Sequence, residues 1–435
     1  MVITVVGLGK IGLPLAVQFA RSGHTVLGAD TNPEVVRQVN LGIEPFPGEA
    51  HLQEHLTESV TEGRLLASTD TTGSVRRSDV VVVVVPLFVD GEARPDFGWM
   101  DSATDDIARG LRPGTLVIYE TTLPVGTTRS RWKPRLEAGS GLTEGVDFHL
   151  VFSPERVLTG RVFADLRKYP KLIGGLSAEG ARRAMDFYDE VLQFEDRPDL
   201  ERGNGVWDLG SAEAAEMAKL AETTYRDVNI GLANQFARFA AANGIDVYQV
   251  IEASNSQPYS HIHRPGIAVG GHCIPVYPRL YLWNDPDASI VLAARQANTE
   301  MPAYAVSLAA DLLGGLTGQR VAVLGASYRG GVKATAFSGV FGAVQALLDS
   351  GALVRVHDPM YTDDELAALG WEPYTLGEET DAVIIQADHA DYRELSSPDV
   401  PGARVIVDGR RILDPARFPG VPVLAIGSPL VGSAP

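Results

Sequence analysis

The amino-acid sequence predicts an α/β protein with two Rossmann-like, doubly wound domains joined by a long central helix and a helical middle region. Three observations lead to this prediction. A β-branched run, a glycine motif and a small-residue helix open the chain, and a second strand-glycine-turn segment follows at residues 320–328. Between them lies a helical stretch, residues 211–243, which is too long for an ordinary crossover helix and is expected to link two domains.

Length and composition limit the class of protein. A chain of 435 residues is too long for one ordinary core, which favours two or three domains. Its 45 glycines and 27 prolines suit a compact, loop-rich α/β protein. The net charge of −18 argues against a nucleic acid or an acidic membrane as partner, so an anionic small substrate would need a local basic pocket.

Cysteine usage and the apolar segments indicate the compartment. The single cysteine, Cys273, cannot form an internal disulfide, which predicts a reducing cytoplasm. Residues 1–6 are apolar but lack a basic leader and run directly into a glycine motif, so we interpret them as a strand rather than a signal peptide. No stretch reaches the roughly 18 uncharged apolar residues that a membrane helix needs. We therefore expect a cytoplasmic protein without a membrane partner.

The first strand ends in the pattern Gly7-x-Gly9-x-x-Gly12, which is typical of dinucleotide binding. The first glycine permits a tight turn, the second lets the backbone approach a pyrophosphate, and the third packs the helix on the strand. A structural glycine turn is the alternative. Asp30 ends the second strand, where a carboxylate can bind the adenosine ribose diol, and this favours NAD over NADP.

Two further strands end at Pro86 and Thr122, in loops of the kind expected at the carboxyl edge of a parallel sheet. Thr122 would lie beside the nicotinamide ribose or amide, although threonine at a strand end is also commonly a cap. We predict NAD as the cofactor and no metal ion. The predicted cofactor-binding residues are Gly7, Gly9, Lys10, Ile11, Gly12, Asp30, Pro86 and Thr122.

The long helical stretch has recognisable ends. Ser211 can cap its start, Glu213 and Glu216 would complement the helix dipole, and Gly244 would stop it.

Lys219, Thr223 and Arg226 share one face of this helix, at spacings of i, i+4 and i+7. A solvated face is the ordinary interpretation of such residues. Because Ala, Leu, Val and Ile otherwise dominate the segment, the polar stripe is predicted to face a ligand.

The second half repeats the strand pattern. A helix is predicted over about residues 290–313, and it is followed by strands in "RVAVLGASY", "LVRVHDP", "DAVIIQA" and "ARVIVDG". This half lacks a full GxGxxG motif. It could hold a different nucleotide or serve only as a scaffold.

The order of these motifs resembles the UDP-glucose/GDP-mannose dehydrogenase family from end to end, and most closely its branch that oxidises UDP-N-acetylhexosamines. The matching signatures are "GLGKIGLPLA", "ETTLPVGTT", "SPERVLTGR", "AEMAKLAETTYRDVNIGLANQ" and "GGHCIPVYP". The resemblance implies an NAD-binding domain at residues 1–205, a central helical dimerisation and catalytic region at 206–313, and a UDP-binding domain at 314–435. It also implies a homodimer that binds a UDP-sugar.

Family members oxidise the C6 alcohol of a nucleotide sugar to a carboxylate with two NAD and release no aldehyde. The resemblance assigns Cys273 as the nucleophile, Lys219 as the catalytic lysine and Glu155 as the carboxylate of the Pro-Glu element. The implied substrate-binding residues are Arg156, Val157, Lys219, Thr223, Arg226, Gln257, Tyr259, Gly270, Tyr328 and Arg329. At position 329 the family usually has lysine, so the charge is retained.

The implied chemistry accounts for these residue types. The C6 aldehyde is captured as a thiohemiacetal, oxidised to a thioester and hydrolysed, which requires a thiolate of lowered pKa. Lys219 can stabilise that thiolate and each oxyanion. Gly270 and Gly271 let the backbone come close to the sugar. A buried, inert thiol is the alternative for Cys273, but its irregular Gly/Pro loop disfavours it.

The sequence departs from the family pattern at five places. Thr223 replaces an asparagine, and Tyr277 replaces an aspartate that is expected to help hydrolyse the thioester. The other departures are Leu87-Phe88 in place of Thr-Pro, Lys333, Ala334 and Ala336 where an acidic pair and an arginine are absent, and Gln257 and Tyr259 in place of His and Arg. Loss of the carboxylate at 277 could slow hydrolysis. The hydroxyl and phenol that remain suggest retuning more than decay.

Three functions remain open from the sequence. The first is a four-electron, NAD-dependent UDP-N-acetylhexosamine 6-dehydrogenase, and the second is the same chemistry on UDP-glucose or another nucleotide hexose. The third is a catalytically idle nucleotide-sugar sensor or scaffold. That third function would explain the changes at 223 and 277, but not the retention of Cys273, Lys219, Glu155 and the complete NAD motif.

We expect a strong preference for NAD over NADP. The Asp30 carboxylate would repel the 2′-phosphate of NADP and would lose its hydrogen bonds to the ribose diol. Initial rates of NADH and NADPH formation, compared as kcat/KM, measure the preference. Equal or faster turnover with NADP would contradict the role given to Asp30.

Overall fold

The structure is a computed structural model that describes residues 1–90 and 92–429. The chain separates into two compact units, Met1–Ala221 and Glu222–Pro435, and each unit has its own sheet. The division falls inside the long helix, so the three-part organisation expected from the sequence, with boundaries after residues 205 and 313, stays a prediction. Within the described residues, no helix is both long enough and apolar enough to span a membrane.

The strands of the first unit follow one another along the chain from its start to residue 208. They are β1 (Val2–Val6), β2 (Thr25–Ala29), β3 (Leu65–Ser68), β4 (Val80–Val83), β5 (Phe88–Val89), β6 (Pro95–Asp96), β7 (Leu116–Tyr119), β8 (His149–Phe152), β9 (Lys171–Gly175) and β10 (Val206–Asp208).

Eight of these strands form one sheet in the order β10-β9-β8-β7-β4-β1-β2-β3, and β5 pairs with β6 in a separate antiparallel ribbon. Neighbouring strands of the sheet are parallel except β8 and β9. The order β3-β2-β1-β4-β7 is that of a doubly wound sheet, in which the crossovers from β1 and β4 diverge and leave a crevice at the carboxyl ends. The predicted fold class is confirmed for this half.

Helices cover the sheet of the first unit. They are α1 (Gly12–Arg21), α2 (Pro33–Asn40), α3 (Leu52–Thr61), α4 (Thr71–Val75), α5 (Gly98–Gly110), α6 (Lys133–Ser140), α7 (Val162–Lys168), α8 (Ala178–Val191) and the start of α9 (Ala212–Ala242), with a π-helical turn at Thr128–Trp132. The four valines of β4 are all buried, as expected for a parallel strand covered on both faces. Helix α1 buries every residue except Gln18 and Arg21, so it forms the core layer next to β1.

The second unit contains a five-stranded parallel sheet. Its strands are β11 (Arg320–Leu324), β12 (Leu353–His357), β13 (Ala382–Ile385), β14 (Val405–Asp408) and β15 (Val423–Ala425), in the order β12-β11-β13-β14-β15. This is again a doubly wound order, which confirms the second Rossmann-like domain.

The helices of the second unit follow the long helix α9. They are α10 (Val247–Asn255), α11 (Tyr277–Asn284), α12 (Ser289–Thr299), α13 (Met301–Leu313), α14 (Gly339–Asp349) and α15 (Asp363–Ala368), with 3-10 turns at Ala390–Glu394, Ser397–Asp399 and Pro415–Arg417.

Helix α9 confirms the helix predicted over residues 211–243. The Ser211 hydroxyl oxygen accepts a backbone N–H from the first turn at 3.1 Å, so Ser211 caps the helix as expected. Gly244 has a φ of 70° and ends the helix in a left-handed conformation that glycine adopts without strain.

The prediction of a single helix over about residues 290–313 is wrong. Two helices, α12 and α13, occupy this segment and are separated at Glu300. Pro302 lies in the first turn of α13, where its missing N–H costs nothing, whereas it could not continue the hydrogen-bond ladder of α12. The proline therefore ends one helix and starts the next.

Glu216 has a larger structural role than the sequence predicts, since it was expected only to complement the helix dipole. Its carboxylate is fully buried and accepts hydrogen bonds from the Gly126 N–H, the Thr128 N–H and the Thr128 hydroxyl at 2.5, 2.9 and 2.6 Å. Burial raises the pKa of Glu216 to about 7, although these hydrogen bonds act in the opposite direction. Glu216 thus holds the loop that follows β7.

A buried ion pair ties α9 to α12 in the second unit. Asp227 is fully buried, its Oδ2 lies 2.6 Å from Arg295 Nε, and its Oδ1 accepts from the Asn298 amide at 2.8 Å. Arg295 also donates to the Pro275 carbonyl at 3.3 Å, so the same side chain supports the segment that carries Cys273.

We expect Arg295→Met to lower the free energy of unfolding by about 3–5 kcal/mol, because it leaves the Asp227 carboxylate buried without its counter-ion. Arg238→Met is the matched control. Its guanidinium pairs with Glu300 at 3.1 Å, both partners being 46% exposed, so its loss should cost less than about 1 kcal/mol. Denaturant unfolding of the two variants measures the difference, and equal losses would contradict the expectation.

Candidate active site

The glycine loop between β1 and α1 has the geometry that its motif predicts. Gly7 has a φ of 93°, and its N–H donates to the Ala29 carbonyl of β2 at 2.8 Å. A Cβ at Gly12 would lie 1.8 Å from the Gly7 carbonyl oxygen, so only glycine permits this packing of helix on strand. Ile11 stands at the N-cap of α1, and its apolar side chain cannot compete with an anion for the first N–H groups.

Gly9 leaves room for a ligand beside this loop. It is exposed, and a Cβ built on it would meet no atom within 4 Å among the described residues. Lys10 is also exposed. A backbone that is open at the second glycine and followed by a helix N-terminus fits a pyrophosphate, so the loop is suited to NAD.

Asp30 lies at the end of β2, as predicted, and is bound to the glycine loop. One carboxylate oxygen accepts the Leu8 N–H at 2.8 Å, and the other accepts the Asn32 N–H at 2.9 Å. Since each carboxylate oxygen has two lone pairs, both oxygens can still accept a ribose hydroxyl. The position is consistent with the predicted ribose contact.

The loops after β4 and β7 are also joined. The Thr121 hydroxyl donates to the Val85 carbonyl at 2.6 Å, which places the segment of Pro86 beside that of Thr122. Pro86 is exposed and Thr122 is buried. The departure at Leu87-Phe88 leaves Leu87 buried and Phe88 half exposed, with the Phe88 ring edge-to-face against Trp99 at 5.2 Å between centroids.

Glu155 belongs to a buried charged group that the sequence did not reveal. Its Oε2 accepts from Lys171 Nζ at 2.8 Å, and the same Nζ lies 3.1 Å from Glu120 Oε1. The Tyr188 hydroxyl donates to Glu120 Oε1. We call Glu120, Glu155, Lys171 and Tyr188 the Glu155 cluster.

The next two residues of the Pro-Glu element lie beside this cluster. The Arg156 N–H donates to Glu155 Oε1 at 2.7 Å, and its guanidinium donates to the Pro170 carbonyl at 3.3 Å. Both Arg156 and Val157 are partly exposed. A cleft in this part of the first unit is lined by Pro154, Glu155, Arg156, Val157, Asp165, Leu166, Tyr169, Pro170 and Lys171.

The predicted polar stripe on α9 is present but uneven. Lys219 and Thr223 are buried, whereas Arg226 is exposed. Burial of a lysine is unusual for a solvated helix face, so the stripe is retained as a prediction of ligand contact.

Cys273 is exposed, which argues against the inert core thiol considered as its alternative. Its carbonyl accepts the N–H groups of Val276 and Tyr277 at 3.1 and 2.8 Å, so the loop turns directly into α11. The Sγ–hydroxyl distance to Tyr277 is 3.8 Å. The aromatic residue that replaces the family's aspartate therefore lies next to the candidate nucleophile.

The glycine pair before Cys273 packs on Tyr328, another predicted substrate residue. A Cβ at Gly270 would lie 2.6 Å from Tyr328 Cβ, and one at Gly271 would lie 3.1 Å from the ring. The Gly271 N–H donates to the Ala336 carbonyl and the Tyr328 N–H to the Ala334 carbonyl, at 2.8 and 2.9 Å. The two alanines thus contribute backbone bonds where the family has charged side chains.

Other predicted substrate residues lie on the surface. Arg329 stands over the Tyr328 ring at 5.8 Å. Gln257 and Tyr259 share an exposed loop after α10, where Gln257 Oε1 accepts the Tyr259 N–H at 2.8 Å and Tyr259 is 92% exposed. The contacts of the described residues do not bring this loop to Gly270. Lys333 pairs with Glu365 at 2.6 Å.

Sequence reasoning missed three of the residues that shape these sites. Glu120 directly follows the apolar run of β7 and Lys171 directly precedes that of β9, and a charge at the end of a buried strand could have been taken as a signal. Arg410 is the third. Its guanidinium donates to the backbone carbonyls of residues 268, 328 and 386, so it holds the Cys273 segment to the sheet edge of the second unit.

Fold and site together define the class of the protein: a dinucleotide-binding oxidoreductase with a second Rossmann-like domain. Three family-level matches follow in order along the chain, all described as UDP-glucose/GDP-mannose dehydrogenase family. They are an NAD binding domain at residues 1–192, a central domain at 213–300 and a UDP binding domain at 322–415. The chain belongs to this family. It is therefore an NAD-dependent UDP-sugar dehydrogenase, which confirms the resemblance, the cofactor and the enzyme class expected from the sequence.

Individual relatives match over nearly the whole chain. A UDP-N-acetyl-D-mannosamine dehydrogenase of Pyrococcus horikoshii is 36% identical over 95% of this chain and 96% of its own. A solved structure of UDP-D-ManNAc dehydrogenase from that organism has a TM-score of 0.86 at 34% identity, covering 98% and 99% of the two chains. A UDP-glucose dehydrogenase from Pyrobaculum islandicum has a TM-score of 0.85 at 27% identity, covering 98% of each chain.

Two glycine substitutions separate packing from cofactor binding. Gly12→Ala should destabilise the fold by about 1–3 kcal/mol, because its Cβ would collide with backbone. Gly9→Ala should leave the stability of the cofactor-free protein unchanged but weaken NAD binding about tenfold, or ~1.4 kcal/mol, since its Cβ would project towards the pyrophosphate. Thermal unfolding and NAD calorimetry give the two readouts. Normal NAD affinity in a folded Gly9→Ala variant would contradict the proposed binding of the NAD pyrophosphate at Gly9.

Proposed function

We propose that the protein oxidises the C6 alcohol of a UDP-N-acetylhexosamine to the uronate in two steps, through a thiohemiacetal and a thioester on Cys273. One observation carries this proposal: the only cysteine of the chain is exposed on an irregular loop whose backbone is fixed on both sides. A thiol in such a setting is accessible to a substrate aldehyde and is held in place for attack.

The relatives support the choice of sugar. The relative named UDP-N-acetyl-D-mannosamine dehydrogenase is 36% identical, whereas the structure named UDP-glucose dehydrogenase is 27% identical. Both cover nearly the whole chain. We therefore infer an N-acetylhexosamine substrate, with N-acetylmannosamine as the first candidate and glucose as the second. The substitutions at Gln257 and Tyr259 leave the hexose itself to be determined.

Each residue then has a chemical role. The Cys273 thiolate adds to the C6 aldehyde, and Lys219, a fixed cation, stabilises the alkoxide that forms. After the second oxidation, water attacks the thioester, Glu155 takes a proton from that water, and the Cys273 thiolate leaves. The products are the uronate and the free enzyme.

NAD supplies a hydride acceptor for each of the two oxidations. The residues proposed to hold it are the glycine loop with Gly7, Gly9 and Gly12, Asp30 for the ribose, and Thr122 for the nicotinamide end. The open backbone at Gly9 and the remaining lone pairs of Asp30 support this assignment.

Tyr277 places a phenol hydroxyl beside Cys273 where the family has a carboxylate. Its hydroxyl lies 3.8 Å from Cys273 Sγ, where it can donate a hydrogen bond to a thiolate. A phenol with its usual pKa of about 10 is a poor base at pH 7. We therefore assign water activation to Glu155 rather than to Tyr277.

We also propose a homodimer in the cytoplasm. Support for self-association comes from exposed apolar side chains on α9 in the second unit, among them Leu232 and Phe239, which are 43% and 67% exposed. The family resemblance supports the same state.

A panel of UDP-sugars tests the function. NADH formation should be fastest with UDP-N-acetylmannosamine, with two NADH formed per sugar and the acid as the product by mass spectrometry. Faster oxidation of UDP-glucose would favour the second candidate. NAD and UDP-sugar binding without any NADH would support an idle sensor.

Two substitutions in the Cys273 loop should have opposite effects on the covalent intermediate. Cys273→Ser should abolish acid formation, because a serine alkoxide is hard to form at neutral pH. Tyr277→Asp should shorten the lifetime of the uronyl adduct, since a carboxylate can act as a base beside the thioester. Intact-mass spectra during turnover detect the adduct. Acid formation at the wild-type rate by Cys273→Ser would show that the cysteine is not the nucleophile.

A further inference from the structure

The Glu155 cluster contains one more negative charge than positive charge. Glu120 and Glu155 are both within ion-pair distance of a single ammonium, that of Lys171, at 3.1 and 2.8 Å. The side chains of Glu120, Lys171 and Glu155 are 0%, 4% and 11% exposed. Because an unpaired buried charge is costly, such a group tends to bind a proton near neutral pH.

The surroundings determine which carboxylate takes that proton. Burial raises the pKa of Glu120 to about 7, against the effects of Lys171 and the Tyr188 hydroxyl, which lower it. Burial also acts to raise the pKa of Glu155, but the charge of Lys171 and the hydrogen bonds from Lys171 and the Arg156 N–H hold it below its ordinary value. The titratable and charged groups that face Glu120 are thus Lys171, Glu155 and Tyr188.

The second carboxylate oxygen of Glu120, Oε2, also indicates that Glu120 is the carboxylate that takes the proton. Glu120 Oε2 is buried and has no donor among the described residues, whereas Oε1 is bound by Lys171 and Tyr188. Both carboxyl groups contact the one Lys171 ammonium, so Glu120 and Glu155 lie next to each other. A buried carboxylate oxygen without a donor is costly in the ionised form, which favours the protonated acid at Glu120.

We propose that Glu120 is the proton acceptor behind Glu155 and keeps Glu155 ionised while the thioester is hydrolysed. This inference rests on the proposed function, in which Glu155 activates water. Of the three charged residues, Glu155 is the most exposed and Glu120 is fully buried, and both carboxylates contact the Lys171 ammonium. Glu120 is thus a positioning residue that acts through Glu155.

The step conserves atoms and charge. A water oxygen bonds to the thioester carbon, one water proton moves to Glu155, and the C–S bond breaks to release the Cys273 thiolate and the uronic acid group. The proton on Glu155 then moves to Glu120, which contacts the same Lys171 ammonium, and Lys171 is an ammonium before and after the transfer. Solvent removes the proton before the next cycle.

This arrangement predicts how hydrolysis depends on pH. Glu120 can accept a proton only when it is ionised, so the hydrolysis rate should rise with pH through about 7 and then level off. We call this rising part of the pH–rate profile the limb. Cys273 is acylated in this intermediate and cannot contribute to the profile. Rapid mixing to form the acyl-enzyme, a pH jump and quenched-flow measurement of uronate isolate this step from the NADH-forming steps.

Three variants test the inference. Glu120→Gln keeps the shape of the side chain but cannot accept the proton, so the limb near pH 7 should disappear and hydrolysis above it should slow about 100-fold. Tyr188→Phe removes a donor that lowers the pKa of Glu120 and should move the limb to higher pH while leaving the plateau in place. Glu144→Gln is the matched control, since Glu144 is a partly buried glutamate at the opposite end of β8 from Glu155. It should leave the profile unchanged.

The possible results distinguish the two hypotheses. If Glu155→Gln hydrolyses the thioester at the wild-type rate, the role of Glu155 in the proposed function is wrong, and the inference about Glu120 fails with it. If Glu155→Gln is slow but the limb near pH 7 persists in Glu120→Gln, only the inference about Glu120 is overturned. If Glu120→Gln does not fold, Tyr188→Phe tests the same point. A pH profile that Tyr188→Phe leaves in place would show that Glu120 does not cause the rise near pH 7.

Discussion

Buried and partly buried carboxylates that accept backbone N–H groups are the constraint on which the functional loops of the first unit depend. A loop at a sheet edge has no strand partner for its N–H groups, and each buried donor must find an acceptor. Glu216 is that acceptor for the loop after β7, Asp30 for the glycine loop, and Glu49 for the N–H groups of Gly160 and Val162 at the start of α7. Part of the −18 net charge is therefore structural. The acidic residues hold the segments that carry the predicted cofactor and substrate residues.

In the second unit, buried carboxylates also accept loop N–H groups, and a buried arginine in addition donates to loop carbonyls. Asp408 is buried and accepts the N–H groups of residues 410, 412 and 413 after β14. Asp358 does the same for Ser327 after β11. Arg410 then satisfies carbonyls rather than N–H groups, including the one just before the Gly270 pair. The loop proposed to present the Cys273 thiol to a substrate needs this support, because Gly270 and Gly271 contribute little stiffness of their own.

The sequence predicted the structural features that are determined by residues close together along the chain. The strands, the glycine loop, Asp30 and the α9 caps were found because each is specified within one or two turns of chain. Glu120 and Lys171 escaped because they are distant in sequence and meet only when β7, β8 and β9 pair. The same distance hid the contacts of Glu216. The break at Glu300 is different, since Pro302 was visible and its effect on a helix is local.

The Glu155 cluster also bears on the departure at Tyr277. In the proposed mechanism, a carboxylate next to Cys273 would act as a base for the water that hydrolyses the thioester, but it would also repel the Cys273 thiolate. With the Tyr277 hydroxyl at 3.8 Å, Cys273 has a hydrogen-bonding neighbour in place of a carboxylate. Hydrolysis then requires a base elsewhere, and a single carboxylate whose pKa Lys171 depresses would be a weak one. A second carboxylate of raised pKa behind it restores the capacity to take a proton. In the proposed mechanism, the tyrosine at 277 therefore favours attack by Cys273, and the buried pair of glutamates serves hydrolysis.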